Sequence, residues 1–144
     1  MFNKSIDDRL SAWAEFRKDL ENSSSPFEDV WLFWKDAPFI PYNNAVDPFF
    51  RFNWPTPWDI IVHNKYDDFT KALMIGWTLK LTKRFEKSLI EIRTLVDRER
   101  LKSYNVICVD NEWVINYNDN GPTLLKNIPE DFNIENLVEL SGLR

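Results

Sequence analysis

The sequence predicts an α+β fold: N-terminal helices and a buried central helix packed on a small antiparallel sheet of three to four strands, with a closing C-terminal helix. Three observations carry that expectation. Residues 1–36 hold two amphipathic stripes of helical spacing, residues 68–81 are apolar nearly all round, and from Ile90 onward the pattern switches to period two. At 144 residues, 44% hydrophobic and 15% aromatic, the chain has the length and apolar content of one ordinary domain. Within it, residues 1–36 form the N-terminal helices, 37–55 an aromatic and proline-rich loop, and 56–144 a helix-sheet core.

Each element has a local cause. Ser5 with Asp8 three residues on is a variant of the capping box, and Ile6, Leu10, Trp13, Ala14 and Leu20 follow as a stripe with Arg17 its one polar interruption. The run Asn22-Ser23-Ser24-Ser25-Pro26 ends this helix, and Ser25-Pro26 starts the next through Phe27, Val30, Trp31 and Trp34. From Ala37 to Pro55 four prolines and three asparagines interrupt every period, so no regular element is expected there. Thr56 is placed to cap a short helix with Pro57 at its first position and Asp59 three residues after the cap. Asp67 or Asp68 caps the central helix. Phe69, Ala72, Leu73, Gly76, Trp77 and Lys80 mark one side of it, and Met74, Ile75, Leu79 and Leu81 make the rest almost as apolar, the signature of a buried helix.

Ile90, Ile92, Thr94 and Val96 alternate with Glu91, Arg93 and Leu95 as a strand. Two more strands, Tyr104 to Val109 and Glu112 to Tyr117, are expected to join through a two-residue Asp110-Asn111 turn, a register that would set Asn105 directly across from Asn116. Asp119-Asn120-Gly121-Pro122 turns the chain again, and Asn133 to Ser141 reads as a helix stopped by Gly142.

Composition narrows the chemistry. A net charge of −5 opposes nucleic-acid binding, since affinity for phosphate backbones comes from Lys and Arg. The basic run Lys80, Lys83, Arg84, Lys87 reads as a solvated helix C-terminus, where cations are favoured by the helix dipole. With one cysteine, Cys108, an internal disulfide is impossible, and neither a signal-type N-terminus nor a membrane-spanning apolar run is present, so a cytoplasmic location is expected. His63 is the only histidine, which leaves no Cys/His metal site, and no cofactor is implied. Cys108 alternates with Val106 and reads as a core thiol on the face of Trp113 and Ile115. The loop aromatics Phe39, Tyr42, Phe49, Phe50, Phe52 and Trp54 are candidate partner-binding residues, because large aromatics anchor protein interfaces; the competing use is to fill an irregular part of the core.

A tryptophan-rich Thr-Pro segment, a polar turn, a buried helix and a three-stranded antiparallel sheet together resemble the transglutaminase-like, papain-related fold, especially its bacterial cysteine-peptidase branch. The resemblance covers Trp54 to Tyr117, roughly half the chain. Family members carry Gly-Asp-Cys-Glu-Asp before the helix; here the run is Asn64-Lys65-Tyr66-Asp67-Asp68, so the resemblance puts Tyr66 at the nucleophile's place. It puts the family's His at Tyr104 or Asn105 and its Asp at Asn116. A phenol is a poor substitute for a thiolate at neutral pH, and amides do not take up protons. The resemblance therefore implies a degenerate triad and a non-catalytic module that binds protein partners, other copies of itself, or virion proteins, since the compact, acidic, Asn-rich chain also looks like a small tailed-bacteriophage protein. The alternative is a metal-dependent hydrolase or nuclease built on Asp67, Asp68 and Glu91, with Arg93 beside them.

Overall fold

A computed structural model describes residues 1–141. Four α-helices, α1 (Ile6–Leu20), α2 (Pro26–Trp34), α3 (Pro57–His63) and α4 (Asp68–Lys80), precede five strands, β1 (Ile90–Asp97), β2 (Lys102–Val109), β3 (Trp113–Ile115), β4 (Thr123–Leu124) and β5 (Asn133–Glu139). The strands form one antiparallel sheet in the order β4-β3-β2-β1-β5. The fold is α+β, with five strands where three to four were expected.

The helix starts follow their caps. Ser5 Oγ accepts from the Asp8 amide, Thr56 Oγ1 from Asp59, and Asp67, not Asp68, caps α4 by accepting from the Thr70 amide at 2.7 Å and the Thr70 hydroxyl at 2.6 Å. Helix α4 lies between the sheet and the other helices, which is why Phe69 and every residue from Thr70 to Leu79 except Lys71 is buried. Burial there strands polar groups unless they find each other. The indole N–H groups of Trp13 on α1 and Trp34 on α2 both donate to Thr78 Oγ1, at 2.9 and 3.0 Å, and Thr78 donates on to the Met74 carbonyl. One hydroxyl thus ties three helices together. Gly76 brings α4 close to the sheet: a Cβ at this position would stand 2.5 Å from a Leu140 methyl and 2.6 Å from an Ile107 methyl.

Two charged residues that the stripe pattern passes over serve helix ends. Arg9 is buried and donates to the Ile61 and Val62 carbonyls at the end of α3. Arg84 does meet a helix C-terminus, but that of α1, donating to the Leu20 and Ser23 carbonyls.

The sheet is apolar on both faces. Ile90, Ile92, Ile107, Val109 and Ile115 pack on the helices, while Leu95, Val106, Cys108 and Val114 face the opposite way and are covered by Tyr117, Leu125, Ile128 and Phe132. Cys108 is therefore a buried core thiol, but on the face of Val106 and Val114, not that of Trp113 and Ile115. The difference comes from the hairpin. Val109 pairs with Trp113, so the loop holds three residues, Asp110, Asn111 and Glu112. Asp110 is pinned to the start of β1, donating to the Leu89 carbonyl and accepting from the Leu89 amide at 2.8 Å, and both Asp110 and Asn111 take the left-handed conformation.

The closing helix expected from Asn133 to Ser141 is instead β5, paired with β1; Gly142 lies outside the described residues. The register shifts between Thr94 and Leu95, leaving Glu135 as an extra residue on β5. That bulge puts Ile134 and Leu137 on one face, so the i, i+3 spacing that suggests a helix belongs here to a bulged strand. A segment this short has little helical stability of its own, whereas the free edge of β1 offers it a full ladder.

Candidate functional site

Helix α4 begins beside the first half of β2 and the end of β3, and the polar groups at this junction are Asp68, Asn105 and Asn116. The Asn105 side chain donates to Asp68 Oδ2 at 3.0 Å, and the Asn116 side chain donates to Asp68 Oδ1 at 3.2 Å and to the Asn105 carbonyl at 2.8 Å. Thr94 on β1 fixes the first amide by donating to Asn105 Oδ1 at 2.8 Å. The two asparagines meet, but not as a directly opposed pair. In the observed register Asn116 would follow Val114 onto the far face; its φ of +77° breaks the alternation and returns its amide to the helix side.

Tyr66 does not join them. Its ring packs edge-on against Phe2 and Trp34, 5.7 and 5.4 Å between centroids, and it is fully buried in the helical core. Among the described residues its hydroxyl has no hydrogen-bond partner, and burial pushes its pKa well above the ordinary phenol value, with Arg9 pulling weakly the other way. The residue at the head of the helix that faces the two asparagines is Asp68, two positions beyond the one the resemblance assigns. The sequence carries a signal for this: of the adjacent acids Asp67 and Asp68 only one can cap α4, which leaves the other free for the sheet. Tyr104, the other candidate for the His place, turns to the far face and packs against Tyr117 and Phe132.

Beside Asp68 a cleft of about 750 Å³ opens between α2, α4 and the strand ends, lined among others by Trp31, Lys71, Lys102, Tyr104, Asn116 and Tyr117. Asp68 lines it with a carboxylate whose two oxygens already accept amide protons, next to amides that do not titrate. The other acids assigned to a metal site lie elsewhere. Asp67 is used as the cap and also accepts from the Asn43 amide, and Glu91 is paired with Arg93 at 2.6 Å on the opposite face of the sheet. Among the described residues no group of three or more His, Cys, Asp or Glu side chains gathers to hold a metal ion. His63 is exposed at the end of α3, in a different layer from Cys108, whose thiol pKa is raised chiefly by burial.

The 37–55 loop lies on the surface with its backbone fastened at several points. Phe39 and Tyr66 form a parallel bridge, the Asn43 amide donates to Asp67, and the Asn136 side chain donates to the Pro48 carbonyl at 2.8 Å. Val46 is buried, and Trp54 packs on Phe69 while donating to the Asp47 carbonyl. The remaining aromatics point outward: Phe39, Tyr42, Phe49 and Phe50 are each more than half exposed, and Phe52 is 97% exposed. Of the six candidate partner-binding residues, five are therefore on the surface and Trp54 is an anchor.

A scan of family models and searches of curated proteins and of solved structures find no match to this chain. No helix among the described residues is long and apolar enough to cross a membrane.

Proposed function

We propose that this protein is a non-catalytic interaction module that docks another protein through the aromatic loop at residues 37–55, in a structural or assembly role such as that of a virion component. The observation that carries the reading is the exposure of Phe39, Tyr42, Phe49, Phe50 and Phe52 on a backbone held in place by Asn43, Val46, Trp54 and Asn136. Five large aromatic side chains more than half exposed on one loop, where no other aromatic exceeds the 41% of Trp58, mark an interface, and the fastened backbone lowers the entropy lost when a partner orders them. The absence of a thiol or imidazole from the Asp68, Asn105 and Asn116 junction supports a scaffold use of a transglutaminase-like architecture over a peptidase use.

The test is quantitative capture of partners from the protein's native lysate together with sedimentation of the purified chain, comparing wild type with a Phe49→Ala, Phe52→Ala double variant. The expected result is loss of a stoichiometric partner, or of self-association, at a cost of about 2 kcal/mol or more for a central aromatic. Unchanged capture and unchanged sedimentation would remove the loop as an interface.

A further inference from the structure

Strand β5 is an outer strand of the sheet, paired with β1 on one side only. The Leu140 amide donates to the Ile90 carbonyl at 2.8 Å, so by the alternation of an antiparallel ladder the main-chain groups of Leu137 and Glu139 turn away from β1. Such an edge is usually guarded by Lys, Pro, a bulge or a covering segment. Neither residue occurs in β5, and no Lys or Arg is found anywhere from Asn127 to Ser141. The bulge at Glu135 leaves Asn136–Glu139 as a short straight edge.

Both flanks of that edge are apolar. Ile134 and Leu137 are exposed on the face away from the helices, and on the helix side the Asn136 bond to Pro48 holds the loop that carries Phe49, Phe50 and Phe52. The edge is also acidic without compensation. Glu130, Asp131, Glu135 and Glu139 are exposed, and none of them forms an ion pair among the described residues. Glu139 stands directly across from Glu91, whose carboxylate is taken up by Arg93. With Arg93 already engaged by Glu91, a cation on the open side of β5 would give Glu139 the opposite charge it lacks among the described residues.

We propose that β5 receives an extended, basic segment of a partner protein as a sixth strand. Its main chain pairs with the outward groups of Leu137 and Glu139, its apolar side chains meet Ile134 and Leu137, and a Lys or Arg faces Glu139. The proposal rests on the interaction-module reading and adds the chemistry of the partner. A second copy of this chain is the wrong occupant, because its β5 would bring Glu135 and Glu139 to the same edge with no basic side chain between them.

The test is selection of a random dodecapeptide display library on the full chain, followed by amide hydrogen exchange with an enriched peptide bound. Enriched peptides are expected to alternate apolar residues with Lys or Arg and to slow exchange of the Leu137 and Glu139 amides about tenfold or more. Leu137→Pro removes one outward N–H without touching the β1 ladder, and Glu139→Lys reverses the charge; each should weaken binding about tenfold or more. If Leu137→Pro unfolds the protein, Glu139→Lys and the exchange measurement decide. Failure to enrich any peptide, or binding that leaves both amides exchanging freely, overturns strand addition; if that binding is lost in Phe52→Ala, the aromatic-loop reading survives on its own. Peptide binding that protects both amides and ignores the loop aromatics supports the sixth strand and removes the loop. Slowed exchange that depends on protein concentration without peptide would put a second copy on the edge and overturn the proposal.

Discussion

The helical core and the 37–55 loop are built from the same large aromatic side chains and put them to opposite uses. In the core, Trp13, Trp34 and Tyr66 are fully buried, and both indoles find the Thr78 hydroxyl. In the loop the backbone is held in place, while Phe49, Phe50 and Phe52 stay in water. The comparison separates two jobs of apolar residues. A helix stripe buries side chains to hold the backbone; this loop uses a few polar groups and two anchors, Val46 and Trp54, to hold the backbone so that side chains can be presented.

The comparison can be broken most forcefully at Thr78. Thr78→Val keeps the shape but leaves two buried indole donors unpaired, and a loss of about 3 kcal/mol is expected in urea unfolding. A loss below about 1 kcal/mol would mean the indoles find other acceptors. Next comes the anchor between the two regions. Trp54→Ala removes the contact with Phe69 and the bond to Asp47, and should cost about 2 kcal/mol while raising proteolytic cleavage within residues 43–54. If cleavage does not rise, the loop is held by Val46 and Asn43 instead. At the junction, Asp68→Ala leaves the Asn105 and Asn116 amides without their acceptor and should cost about 1 to 2 kcal/mol. The smallest expected effect sharpens the contrast: Phe52→Ala should change stability by less than about 0.5 kcal/mol, because the side chain is already in solvent.

Tyr66 adds a pH signature to the core side of the comparison. Its folded-state pKa lies above the unfolded value near 10, so the folded state holds the phenol proton more tightly. The stability linked to that proton is present in full below the unfolded value and is lost progressively as pH rises above it. Tyr66→Phe removes an unpartnered hydroxyl, so stability at neutral pH should be equal or higher and its decline above pH 10 shallower. An unchanged alkaline decline would assign it to other groups.

How much of this was legible depends on whether the cause is local. Ser5, Thr56 and the Asp67-Asp68 pair announce helix starts by their own side chains, and α4 shows its burial because apolarity on all sides has no other use in a globular chain. The five exposed aromatics were legible as residues, but their exposure was not, since it is set by bonds to Asp67 and Asn136, far along the chain. Residues 133–139 form a strand where a helix is expected, because the apolar spacing of Ile134 and Leu137 is also that of a bulged strand, and only the register of β1 reveals the bulge. The junction was half legible. Asn105 and Asn116 could be brought together from the hairpin, yet the extra loop residue and the left-handed Asn116 compensate for each other in a way no periodicity encodes, and the third member proved to be Asp68, with Tyr66 turned into the core.

The bare Cα of Gly76 has a consequence for the history of this fold. A methyl there would run into Ile107 on β2 and Leu140 after β5, so three residues from distant parts of the chain divide one small volume among them. Relatives that carry Ala at position 76 should carry a smaller residue at 107 or 140, and a set of homologous sequences would record the contact as correlated change at these three sites before any of their structures were known.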